Sequence, residues 1–183
     1  GSQVGLVYDV LKLERPQSPL YGRAMLEVKM RRLSRDEALD FLKRGFRQAG
    51  VDADLRELEE AVEALDGIIG WLTYYGWSKV MRSGTLESIL DAAARQEAAE
   101  ISKFLAKSRG EPRYRAILKA VAARPMRWSE IKRVLEAQEG AEVDDRNLAD
   151  LLHRLEKTGL LEKRDNLYAI PDPVVRLAVE RYV

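Results

Sequence analysis

The residues best placed to do chemistry in this chain lie between positions 146 and 164: Arg146, Asn147, Arg154, Lys157, Lys163 and Arg164. Arg and Asn carry the donor and acceptor pairs that match guanine and adenine edges, while the later cations suit phosphates. Acids are mixed in among them. Asp144, Asp145, Asp150 and Glu156 stand against three bases over positions 144–158. An acid facing a phosphate backbone is repelled and offsets the gain from counterion release. The same charges therefore also fit the solvated face of a domain that docks protein.

Other chemistries are excluded by residue type. There is no Cys and one His, which removes disulfides, thiolate metal sites, His clusters and most His-based catalysis within one chain. His153 borders an apolar helical stripe and fits a surface or boundary position. No phosphate-cradling Gly-x-x-x-x-Gly-Lys-[Ser/Thr], His-Glu-x-x-His, Gly-x-Ser-x-Gly or kinase signature occurs. No catalytic, metal or cofactor site is expected in this chain itself. With 46% hydrophobic and 33% charged residues and a net charge of +1, the chain is globular and nearly neutral. Residues 112–183 carry fourteen Lys/Arg against twelve Asp/Glu, so nucleic-acid binding would need local placement of cations. No apolar run approaches the ~18 residues of a membrane span, and no secretory signal opens the chain. A cytoplasmic protein is expected, and the charge content suits a hot habitat.

The elements that must position the cations follow from periodicity. Residues 113–123 predict a helix, stopped by Arg124-Pro125. Ser129 is expected to cap a second helix over 130–138, with Trp128 a core residue between helices. Asp144 or Asp145 caps a third, whose Leu148, Leu151, Leu152 and Leu155 repeat at i, i+3, i+4, i+7. Gly159 ends it. Residues 160–170 alternate around Asp165-Asn166, which tolerates positive φ and turns a hairpin. Asp172-Pro173 starts a last helix, with Pro at its first position. Three helices running into a hairpin spell a winged helix-turn-helix domain, assigned to residues 111–183.

Upstream, Ser34-Arg35-Asp36-Glu37 is a capping box for a helix that stops at Gly50. A second helix runs from about Asp54 to Asp66-Gly67. A third, over 68–75, is apolar nearly all round, should be buried, and closes at Gly76. A long helix covers about 85–107. These form a helical bundle, assigned to residues 34–110. Residues 1–33 hold a short apolar helix over 4–11, a two-proline loop and an alternating strand over 24–30. That strand has nothing nearby to pair with. Gly1-Ser2 stands without an initiator Met, which suits a cleavage scar or native sequence entered midway. The fold class is mainly α: a helical bundle followed by a winged helix with a small β-hairpin.

Three runs carry a family resemblance: Gly1-Ser2-Gln3-Val4-Gly5-Leu6, Ser18-Pro19-Leu20-Tyr21-Gly22-Arg23, and Leu65-Asp66-Gly67-Ile68-Ile69-Gly70-Trp71-Leu72-Thr73-Tyr74-Tyr75-Gly76. With Asp172-Pro173 after the hairpin, they resemble the archaeal ATPase family, in the STAND-type branch of AAA+ P-loop ATPases. The resemblance implies that residues 1–33 are the remnant of an ATPase core. Residues 34–110 would be its helical lid, and the winged helix would follow. The phosphate loop and Mg²⁺-binding acids would lie upstream, so the intact protein would use ATP and Mg while this chain alone would not hydrolyse. The implied nucleotide contacts are Arg23, from Tyr-Gly-Arg, and Gly67 and Ile69, where the family often has Gly-x-Pro. Expected partners are that ATPase core and either double-stranded DNA or a protein. The alternative is a freestanding winged-helix transcription-regulator-like protein with a helical dimerisation domain.

Overall fold

The computed structural model describes residues 30–82 and 84–183. Arg23, the short helix over 4–11 and the strand over 24–30 (Met30 apart) lie outside them. The described residues fall into two compact units. One is Arg31–Lys107 together with Asp172–Val183, and the other includes Ser108–Pro171.

The first unit is built from α1 (Arg35–Ala49), α2 (Leu55–Leu65), α3 (Ile69–Arg82), α4 (Leu86–Ala106) and α8 (Pro173–Tyr182). Local chemistry starts each cleanly. Ser34 accepts from the Glu37 N–H while the Glu37 carboxylate takes the Ser34 N–H, closing the capping box. Asp54 and Thr85 cap α2 and α4 through their side-chain oxygens. Gly50 ends α1 at φ 68°. The core is drawn from Leu42, Phe46, Leu58, Val62, Leu65, Leu72, Tyr75 and Ile89, with Val174 of α8 completing it.

Two expectations about α3 fail here. Gly76 does not close α3, which continues to Arg82. A mid-helix glycine costs only about 1 kcal/mol, and the face bearing Leu72, Tyr75 and Ser78 is buried on both sides of it. Lys79 adds an ion pair to Glu57 at 2.5 Å. Nor is α3 buried all round, since Ile69, Trp77 and Met81 are exposed. The compact units are drawn differently from the expected domains: residues 172–183 group with the bundle. Asp172, which caps α8 through the Val174 N–H, also accepts from Trp71 Nε1 at 2.8 Å. Asp91 of α4 then accepts from Arg181 and from the Tyr182 hydroxyl.

The second unit contains α5 (Glu111–Ala123), β1 (Met126–Arg127), α6 (Trp128–Glu139), α7 (Asp145–Lys157), β2 (Glu162–Arg164) and β3 (Leu167–Ala169). The sheet is antiparallel in the order β1-β3-β2, with Met126 opposite Tyr168 and Lys163 opposite Tyr168 on the other side. Asp165 and Asn166 have φ 49° and 63°, the two positive values a tight primed hairpin turn needs. Ile117, Leu118, Ile131, Leu135, Leu148, Leu152, Leu155 and Leu161 form the fully buried interior. The α6 cap differs from expectation. The helix begins at Trp128, and the Glu130 carboxylate takes the Arg127 N–H at 2.7 Å. Ser129 is therefore inside the helix. Trp128 is half-buried, with Lys132 Nζ 5.7 Å from its ring centre. This is a mainly helical fold with a winged helix-turn-helix and a small three-stranded sheet.

Candidate nucleic-acid interface

Helix α7 sets the geometry. Its Leu148, Leu151, Leu152 and Leu155 are buried, so helical spacing turns Arg146, Asp150, His153 and Lys157 outward as one stripe. All four are exposed, as are Asn147 and Arg154 on its flank. Among the described residues, no ion-pair partner reaches Arg146 or Lys157. The hairpin carries Lys163 and Arg164, both exposed. Lys163 Nζ lies 5.3 Å from the Tyr168 ring centre, and Arg164 pairs with Glu162 at 2.9 Å.

The acids that stood against a nucleic-acid face are largely occupied. Asp144 is the α7 cap and accepts from the Asn147 N–H at 2.9 Å. Asp145 is paired with Lys132 at 2.5 Å, and that carboxylate raises the Lys132 pKa. Asp150 stands exposed on the stripe, and Glu156 is half-buried further along the same helix. The structure thus brings Arg146 and Lys157 onto one face, and it sets Asn147 apart. Its amide oxygen accepts from Arg113 Nη1 at 2.7 Å. Arg113 also grips Glu139, with Nε to Oε1 and Nη2 to Oε2 both at 2.6 Å. That pairing holds the Glu139 carboxyl below its usual range. Lys132, Arg113 and Glu139 escape a reading of the sequence because they sit far along the chain from the residues they hold.

Comparison with known proteins agrees with this architecture. The family described as "MCM protein C-terminal winged helix-turn-helix domain" matches residues 107–170. A solved structure, the Walker-type ATPase of Pyrococcus abyssi, is 38% identical over 98% of this chain, with a TM-score of 0.77. The chain spans 51% of the length of that protein. No curated protein matches. The chain is therefore a winged-helix protein similar to part of an archaeal Walker-type ATPase. The family match ends just before α8, in keeping with α8 packing on the bundle.

Gly67 and Ile69, the nucleotide contacts the resemblance implies, lie just before and at the start of α3. Gly67 sits at φ 67°, and a Cβ there would stand 2.0 Å from the Leu33 carbonyl oxygen. Its own carbonyl accepts from the Leu33 N–H at 2.9 Å. Gly67 thus joins the chain before α1 to the turn before α3. Ile69 is partly exposed at the start of α3 and offers only an apolar surface. No group of acids suited to a metal ion occurs among the described residues, and the sequence has no phosphate loop.

Proposed function

We propose that this chain is the lid and winged-helix portion of a Walker-type ATPase, with the winged helix as a duplex-DNA-binding output arm. The observation that supports this best is the outward stripe of α7. It presents Arg146 and Lys157 unpaired among the described residues, while Asp144 and Asp145 are engaged elsewhere. A helix so placed enters a major groove with its first residues toward the base edges. Lys157, Arg154 and the wing cations Lys163 and Arg164 then face phosphates. In the longer protein, the nucleotide state would bias how bundle and winged helix engage their partner. On this reading the chemistry of ATP lies in the remainder of the longer protein, and this chain alone should not turn ATP over.

The test is a duplex titration at two salt concentrations. Affinity should fall as salt rises, and Lys157→Ala should lower the log–log slope by about 1. Arg146→Ala with Arg154→Ala should weaken binding by about tenfold or more. Absence of duplex binding at low salt refutes the reading and favours a protein partner, for which exposed Asp150 in mid-stripe is the feature in favour. ATP turnover by the purified 183-residue chain would refute the division of labour. Measuring duplex affinity of the longer protein with and without ATP tests the coupling.

A further inference from the structure

Asn147 stands where a groove-reading helix presents its first side chains, yet its amide is already engaged. Arg113 Nη1 donates to Asn147 Oδ1 at 2.7 Å. The same guanidinium is fixed by its two parallel bonds to Glu139, a bidentate charge-assisted pair that resists rearrangement. The direction of the Asn147 amide is chemically forced. A guanidinium only donates, so the group facing it is the carbonyl oxygen. Asparagine reads adenine by accepting from N6 and donating to N7 together. One lone pair of its oxygen is held by Arg113, which fixes the amide plane; to turn both its oxygen and its NH2 onto an adenine edge, Asn147 must give up that orientation. Its neighbour at the helix start, Asp145, is bound through Oδ1 to Lys132. Arg146 has no such restraint. It is exposed, outward and without an ion-pair partner among the described residues.

Resting on the duplex-binding reading above, we propose that Arg113 silences Asn147, so that the winged helix reads guanine through Arg146 and is indifferent to adenine. Arg113 acts as a positioning residue, tying the start of α5 to the end of α6 and the first turn of α7. Base preference is then confined to one contact, and the remaining affinity comes from phosphates and is independent of sequence.

The experiment uses the full chain and short duplexes that differ only in their central base pairs, either all A·T or containing G·C. Wild type should favour the G·C duplex by roughly tenfold, the size of one good bidentate contact. Arg146→Ala should erase that preference. Asn147→Ala should leave affinity for both duplexes within about twofold, as expected of a residue that reads no base. This variant keeps the backbone N–H that Asp144 caps, so it does not depend on the fold tolerating loss of Arg113. Arg113→Ala should raise affinity for the A·T duplex, and Asn147→Ala in that background should cancel the rise. If Asn147→Ala alone weakens A·T binding about tenfold or more, or Arg113→Ala leaves A·T affinity unchanged in a folded protein, the proposal fails while duplex binding stands. If wild type binds neither duplex at low salt, the duplex-binding reading fails and takes this proposal with it.

Discussion

Two glycines separate what backbone freedom and what mere tolerance look like. Gly67 has φ 67° and no room for a Cβ, because the Leu33 carbonyl oxygen would lie 2.0 Å away. Gly67→Ala should destabilise the bundle by at least about 2 kcal/mol, from left-handed strain plus the clash. Gly45 lies inside α1 with nothing within 4 Å of a built Cβ. Gly45→Ala should stabilise by about 0.5–1 kcal/mol, because alanine restricts the unfolded chain and favours helix. Urea unfolding of both variants checks the pair. Equal effects would show that Gly67 does not hold the contact to Leu33. At this scale the sequence is legible wherever the partner is local. The Ser34 capping box, the Asp144 cap and the Asp165-Asn166 turn are all written within four residues. Arg113 on Asn147 is not legible. Their separation of 34 positions means that only the packing of three helices brings them together.

Elements are legible where a long apolar period exists, as in α1 and α7. Strand β1 has two residues, too few to show alternation, and its existence depends on β3 lying beside it. Helix α8 is legible as a helix, but its neighbour is not. An apolar stripe states that a face is buried without naming what covers it. Here α8 covers α4, and Trp71 anchors its first turn through Asp172. Trp71→Phe should therefore cost about 2 kcal/mol, the scale of a hydrogen bond to a charged, partly buried acceptor. Removing residues 172–183 should cost the bundle far more and the winged helix little. Hydrogen exchange distinguishes the two: protection should be lost across α4 and kept across α7. Equal loss in both helices would show that α8 belongs to the winged helix after all. The winged-helix fragment 108–171, which carries the buried Ile117, Leu118, Ile131, Leu135, Leu148 and Leu152, should unfold cooperatively by itself.

For the molecule as a whole, the chain leaves the bundle after α4, builds the winged helix and re-enters the bundle at α8. The docking of α8 therefore completes the bundle last along the chain, and its electrostatics set how firmly. Asp91 is held at about 2 by the Tyr182 hydroxyl first, then Arg95 and Arg181. Glu37 is likewise held at about 2, chiefly by Arg31. Both are depressed acids, so their contribution is present above the ordinary carboxylate range and is lost as pH falls from about 4 through about 2. Both lie at the surface, and salt should shrink the effect. Glu97 on α4 opposes them. Burial, and then the charge of Asp172, raise its pKa. A raised acid favours the folded state only when protonated, so at neutral pH Glu97 counts against the docking of α8, and mild acid relieves that cost. Stability should therefore rise slightly as pH falls from neutral toward the ordinary carboxylate range, then fall below about 4. Glu97→Gln should remove the rise and lift the melting midpoint at neutral pH, with the gap from wild type closing as Glu97 protonates. Melting curves across that range decide it. A Glu97→Gln variant less stable than wild type at neutral pH would mean that Glu97 is a paired, stabilising group and not a strained neighbour of Asp172.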